Sequence, residues 1–258
     1  MVNGTWIFER MKRFEITATV VWATAAVLTL AYLVLALLSF PPICGWDVMV
    51  RYAPMAEAFA AGDWADAFHP RFCLLYPMLT GSVAKTVGCS GLVACQVTAI
   101  LFWGLSFPAL WAVLRRVFDD TVAYVGSLFL FISVDLFVLA VDGWRDDCRI
   151  LPIALMALSF QYLARCCETD RPWKGAVAMA AAQLLSVPLR VDCLVIASVM
   201  LVVYVAACLR YKCLSAAIAP IIAWIVAALA NCVLVYACTG WFLPAPHLIR
   251  IMEAFAAK

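Results

Sequence analysis

Asp47, Arg51, Glu57 and Asp63 stand together in the stretch GWDVMVRYAPMAEAFAAGDW, residues 45–64, soon after a long apolar run that closes at Phe40. Charged groups are costly near hydrocarbon, so a cluster at this point needs a reason. Further along, Asp142, Arg145, Asp146, Asp147 and Arg149 form a second group, and Arg190 with Asp192 a third. Carboxylates interleaved with arginines suit a reaction between an anion and a polar acceptor. The guanidiniums would hold phosphate oxygens through charge-assisted hydrogen bonds, and a nearby carboxylate would take a proton from an attacking hydroxyl or amine. For any one of these charges, solvation in a short polar loop is the ordinary alternative.

The elements that carry these residues are set by composition. The chain of 258 residues is 67% hydrophobic and only 13% charged, with mean hydropathy +1.01. Soluble domains hold roughly 25% charged residues, so this is the composition of a multi-span membrane protein. The net charge of +2 is small and spread over short loops, which excludes a nucleic-acid surface. No tract of low complexity and no repeat of fixed period interrupts the chain. Most of the twelve cysteines lie in apolar runs, where cysteine acts as a small hydrophobe. Cys44 and Cys73, with Cys148 as a third candidate, could pair in an oxidising compartment. There is no CxxC, and Cys166-Cys167 has no partner histidine for a zinc site.

The apolar run 16–40 is too long for a signal-peptide core and reads as an anchor. Arg10, Lys12 and Arg13 before it put the N-terminus in the cytoplasm by the positive-inside rule. Further spans are predicted at 92–114, 121–141, 149–164 and 213–238. The run 175–209 would overshoot a hydrocarbon core of about 30 Å as one helix, so it must break. Pro188, Arg190 and Asp192 mark the break, because proline interrupts helix and opposite charges cannot face lipid. Its flanks, Arg165, Arg171 and Lys174 before and Arg210 and Lys212 after, are both basic, which makes the run a hairpin of two short spans.

The expected fold is therefore all-α and transmembrane, with about seven spanning helices. Residues 1–15 are cytoplasmic, 16–240 form one transmembrane module, and 241–258 make a tail on the outer face. Within that tail 247–257 is amphipathic and suits the membrane surface. Residues 41–91 form an outer loop with an interfacial segment at 74–87 and an amphipathic helix near 51–61. In that helix Tyr52, Met55, Ala56, Phe59 and Ala60 share one face and Pro54 sits in the first turn. Most of the polar groups then fall on one side of the membrane, with Lys85, Asp66, His69 and Arg71 among them. Asp135 lies inside a span, and its spacing to Asp142 and Asp146 puts the three on one face if the helix continues.

The order of features is more specific than the composition. Asp47 opens the outer loop, followed by Tyr52-Ala53, Gly62-Asp63-Trp64, Tyr76-Pro77, Gly88 and then Arg115-Arg116-Val117-Phe118 at the end of a span. Over about residues 16–212 this resembles the GT-C superfamily of integral-membrane glycosyltransferases, in particular the branch of protein O-mannosyltransferases and lipid A aminoarabinose transferases. The resemblance implies a module of seven helices that moves a sugar from a polyprenyl-phosphate donor to an acceptor on the non-cytoplasmic face. It implies Asp47 as the general base that activates or orients the acceptor. Arg51 and Tyr52 follow as substrate-binding residues, with Asp142, Arg145, Asp146, Arg149, Arg190 and Asp192 as the looser matches around the donor phosphate. The implied location is a bacterial inner membrane with the active face to the periplasm.

Departures accompany the likeness. Val48-Met49-Val50 intervenes where relatives carry Arg-Tyr or Glu directly after the first Asp, and His69-Pro70-Arg71 stands where a second loop acid is common. Relatives usually continue with more spans or a soluble outer domain; a short form of this kind is expected to be a minimal transferase or one that acts with a partner protein, or else a truncated, non-catalytic relative. A small transporter or lipid flippase using Asp135, Asp142 and Arg190 in a polar path is the reading from another class. No cofactor is assigned. A divalent cation, Mg²⁺ or Mn²⁺, is the one candidate, through acid pairs such as Asp146-Asp147. The expected partners are a lipid-linked sugar donor, membrane lipids and an unspecified acceptor.

Overall fold

The computed structural model describes residues 16–39, 44–69, 73–165, 172–240 and 242–243. The expectations for residues 1–15, for Arg71, Cys166-Cys167 and Arg171, and for the amphipathic tail at 247–257 fall outside the described residues, as does the Asp147 side chain. Among the described residues the chain is entirely helix and turn, with no strand.

The first helix, α1 (Ala18–Leu38), starts at Thr17, whose hydroxyl accepts the Val20 N–H at 3.3 Å. A π-helical turn (Val48–Tyr52) then runs straight into α2 (Ala53–Ala61), which ends at Gly62 in the left-handed region at φ 82°. Pro54 occupies the first turn of α2, where no N–H is needed. Asp63 caps the short α3 (Trp64–Ala67) by accepting from the Ala65 and Asp66 N–H groups. After it come α4 (Leu75–Val87) and α5 (Gly91–Leu114).

The face expected for the juxtamembrane helix is the one it buries: Tyr52, Met55 and Ala56 are buried, with Phe59 half-buried against α4. This packing needs glycine on the facing helices. A Cβ on Gly81 would fall 2.5 Å from the Phe59 ring, and one on Gly91 only 2.1 Å from the Ala53 carbonyl oxygen. Glu57, which the sequence offers as one more loop acid, accepts the Gly91 N–H at 2.9 Å and so helps cap α5. Gly91→Ala is therefore expected to cost about 1–3 kcal/mol by overpacking a site where backbone, not a side chain, must yield. The midpoint of denaturant unfolding in detergent measures it.

The remaining helices are α6 (Asp120–Phe131), α7 (Val134–Asp142), α8 (Ile150–Ala164), α9 (Pro172–Ser186), α10 (Val191–Arg210) and α11 (Ser215–Thr239). Four of the described helices, α1, α5, α10 and α11, are long and apolar enough to cross a membrane, which marks an integral membrane protein. The helices α6 and α8 are shorter and apolar.

The expected single helix at 121–141 is in fact two, parted at Ile132 and Ser133. The cause is tertiary. Tyr32 of α1 donates its hydroxyl proton to the Phe131 carbonyl at 3.0 Å, and the Phe131 ring stacks between Tyr32 and Trp103 at 5.3 and 4.9 Å. A second break follows at Gly143, at φ 78°, so Asp146 does not share a helical face with Asp135 and Asp142. Asp135 is exposed, Asp142 is half-buried, and Asp146 belongs to a different constellation altogether.

The break predicted near Pro188 separates α9 from α10 and is built into the core. Val187 and Leu189 are fully buried, and the turn is held from two sides: Leu75 N–H donates to the Pro188 carbonyl at 2.9 Å, and Asn231 Nδ2 of α11 to the Val187 carbonyl at 3.0 Å. Arg190 follows in extended conformation as the residue that precedes α10.

Candidate functional site

Three segments meet at one end of the bundle: the π-turn at Val48–Tyr52, the loop from Gly143 to Arg149 after α7, and the α9–α10 turn. Each is fixed by buried groups. Gly143 approaches α5 so closely that a Cβ would lie 2.9 Å from the Gln96 amide nitrogen. The hydroxyl of Tyr76, from α4, donates to the Gly143 carbonyl at 2.5 Å and lies 3.4 Å from that of Cys95. Val48, Tyr52, Tyr76, Cys95, Cys148, Leu189 and Cys193 form one buried cluster beneath the charges.

Above that cluster Asp146, Arg149, Arg190 and Asp192 close a ring of ion pairs. Arg149 bridges the two acids, with Nη2 3.3 Å from Asp146 Oδ1 and Nη1 3.0 Å from Asp192 Oδ2. Arg190 bridges them again, through Nη1 to Asp146 Oδ1 and through Nε to Asp192 Oδ1 at 2.9 Å. Arg149 Nε also donates to the Asp146 carbonyl at 3.0 Å, so all three of its nitrogens serve protein oxygens. Arg149 and Arg190, two of the three arginines expected near the donor phosphate, are thus unequal: Arg149 is a strut held through all three nitrogens, whereas Arg190 engages the ring through Nε and Nη1. Burial alone would lower the Arg190 pKa, but the Asp146 and Asp192 carboxylates outweigh it and hold the guanidinium more firmly protonated than usual.

Arg145 lies over the Tyr52 ring at 5.3 Å, and Tyr52 meets Tyr76 edge-on at 5.4 Å. Beside them Asp47 pairs with Arg51 at 3.0 Å across the π-turn. Turns of this kind recur at functional sites because the extra residue re-aims a side chain. Here Val48 and Tyr52 point into the protein while Asp47 and Arg51 stay at the surface. Tyr52 is the junction. Burial raises its pKa first, Arg145 and Arg190 pull it down, and Asp47 and Asp146 push it up, so both charge groups are felt at one phenol. Of the expected site residues, Asp47, Arg51, Tyr52, Arg145, Asp146, Arg149, Arg190 and Asp192 are brought together. Asp142 borders them: burial raises its carboxyl pKa against a hydrogen bond from Trp144, whose ring covers Gly45.

Sequence reasoning did not give structural weight to Tyr76, Gly143, Trp144 or Leu75. Their roles rest on contacts across 47 to 113 residues of chain, from Gly143–Gln96 to Leu75–Pro188, to which no local pattern points. Tyr76→Phe removes the hydroxyl and leaves the buried Gly143 carbonyl without it, at an expected cost of about 1–3 kcal/mol in unfolding free energy. Comparison of unfolding midpoints for the two proteins checks this.

No disulfide joins Cys44, Cys73 and Cys148 to one another, so the pairing open to them in an oxidising compartment is not formed. Cys73 is buried, which raises its pKa to about 11 despite Arg145 and Arg190 nearby. Among the described residues no group of three or more His, Cys, Asp or Glu side chains is arranged to hold a metal ion. Asp146, one half of the acid pair considered for Mg²⁺ or Mn²⁺, gives Oδ1 to Arg149 and Arg190 instead.

No protein-family model matches the chain, and no curated protein or solved structure matches it.

Proposed function

We propose that the chain is a glycosyltransferase of the GT-C kind, which moves a sugar from a polyprenyl-phosphate donor to an acceptor at the outer membrane boundary. The observation that supports this is the meeting of Asp47 and Arg51 with Tyr52, Arg145 and the Asp146–Arg149–Arg190–Asp192 ring at one end of the bundle. A carboxylate lies within reach of water beside a set of guanidiniums, the pairing that acceptor activation and phosphate binding need.

In this reading Asp47 takes the proton of the acceptor hydroxyl or amine as the new bond forms at the anomeric carbon. The bond from that carbon to the phosphate oxygen breaks, and polyprenyl phosphate leaves with the electron pair. Arg145 and Arg190 offset the growing negative charge, while Arg149 holds the two acids in place and Tyr52 keeps Arg145 over the site. The topology that goes with it has about seven crossings, adding α6 with α7, α8 and α9 to the four long helices. The active face is periplasmic in a bacterial inner membrane, and a partner protein supplies acceptor selection.

A transporter needs a polar path, and Asp135 stands exposed on α7 while Arg190 is held by Asp146 and Asp192 at the end of the bundle, which weighs against that alternative. The test is sugar transfer by purified protein in liposomes from a radiolabelled short-chain polyprenyl-phosphate sugar, offered with a panel of hydroxyl and amine acceptors. Label appearing in acceptor supports the proposal. A folded protein that neither transfers sugar nor binds any polyprenyl phosphate would reject it.

A further inference from the structure

A hollow of about 410 Å³ lies beside α2, apart from the ionic ring. Val50, Arg51, Pro54, Met55 and Ala58 form one wall at helical spacing, and Asp66 and His69 face them. Its volume falls toward the small end of the roughly 300–1,000 Å³ usual for small-molecule sites. Its lining is divided by chemistry: an apolar strip from Val50, Pro54, Met55 and Ala58, two basic side chains in Arg51 and His69, and one acid in Asp66. Arg51 is the same residue that pairs with Asp47 at 3.0 Å, so one guanidinium connects the hollow to the proposed base.

The surroundings indicate what approaches. Met49 and Val50 are about half exposed, and Trp64 is 61% exposed while it stacks on Phe68 at 6.1 Å and meets Phe59 edge-on at 5.0 Å. Exposed aromatic rings beside apolar side chains are the residues proteins keep at the boundary between lipid and water.

We infer that this hollow binds the phosphate-bearing headgroup of an amphiphile. The phosphate sits against Arg51 and His69, a headgroup hydroxyl or amine against Asp66, and the first carbons of the apolar part along Val50, Pro54, Met55 and Ala58. The amphiphile enters from the membrane, over Met49 and Trp64. Binding of this kind is independent of sugar transfer; only the further assignment of the bound molecule as acceptor, presented to Asp47 through Arg51, rests on that proposed function.

The test uses the intact chain in detergent and three probes: dihexanoyl phosphatidic acid, neutral dihexanoylglycerol and inorganic phosphate, with binding followed by calorimetry. Phosphatidic acid is expected to bind at least about tenfold more tightly than either of the others. Ala58→Trp, which fills the hollow without changing charge, and Arg51→Gln are each expected to weaken it by about tenfold or more. Equal binding of the neutral lipid would overturn the role of the anion. Equal binding of inorganic phosphate would overturn the amphiphile, and unchanged affinity in both variants would overturn the site. Should Ala58→Trp fail to fold, Arg51→Gln decides, since its exposed ion pair contributes little to stability. Asp47→Asn is expected to retain phosphatidic acid binding while losing transfer, so failure of either proposal is separable from failure of the other.

Discussion

Asp47→Asn is expected to lower sugar transfer by about 10²- to 10⁴-fold, the usual contribution of a positioned general base. The substitution keeps size and shape and removes only the ability to hold the proton. Its structural cost is small for two reasons. The ion pair with Arg51 is exposed, 31% on the acid side and 51% on the arginine side, and such pairs contribute about 0–1 kcal/mol. Asp47 also makes no capping hydrogen bond to the π-turn that follows it, so no helix end is lost. Rate and stability should therefore separate: initial rates from the labelled donor collapse while the unfolding midpoint of the variant stays near wild type. Near-normal transfer by folded Asp47→Asn would remove Asp47 from the mechanism.

Arg190→Met is expected to act on both quantities. The side chain occupies a position midway between surface and core, 25% exposed, with Asp146 at 21% and Asp192 at 42%. Exposed pairs contribute about 0–1 kcal/mol and breaking a fully buried one costs about 3–5 kcal/mol, so about 1–3 kcal/mol is expected here. The loss arises mainly because Asp146 is left half-buried with Arg149 alone. Adding Asp146→Asn should recover part of it, and a double-mutant cycle on unfolding free energies measures the coupling. On activity, removal of a phosphate contact should raise the donor KM by about tenfold or more, with kcat falling further if the contact strengthens in the transition state. Additive effects in the cycle would contradict the ring, whatever the protein's activity.

How much of this was legible in the chain depends on the range of the causes. The break between α9 and α10 was readable because proline and two opposite charges sit within five residues in an apolar run. The buried face of α2 was readable from Tyr52, Met55 and Ala56 at helical spacing. The division of 121–141 into α6 and α7 was not, because its cause is the Tyr32 hydroxyl, 99 residues from Phe131 in sequence. Glu57 likewise appears as a loop acid until its partner, the Gly91 amide 34 residues on, is known.

Charge type and position predicted that Arg145, Asp146, Arg149, Arg190 and Asp192 would fall together, since all lie at helix ends on the same side of the proposed topology. What sequence could not supply is the partition of roles among them. Arg149 turns all three nitrogens to protein oxygens, whereas Arg145 lies on an aromatic ring, and neither fact leaves a trace in spacing. The expected alignment of Asp135 with Asp142 and Asp146 failed for a related reason. It assumed a continuous helix, and Gly143 in the left-handed region ends it.

The central claim is that one end of the bundle gathers these groups around a lipid-borne phosphate. Photocrosslinking with a short-chain polyprenyl-phosphate sugar carrying a diazirine near the phosphate, followed by peptide mapping, tests it most directly. Adducts are expected within 45–54, 143–149 and 188–193, and should diminish in Arg190→Met and under competition by unlabelled donor. Adducts confined to the basic end near Arg115 and Arg210, or to the lipid-facing sides of α1 and α11, with no competition by donor, would contradict it.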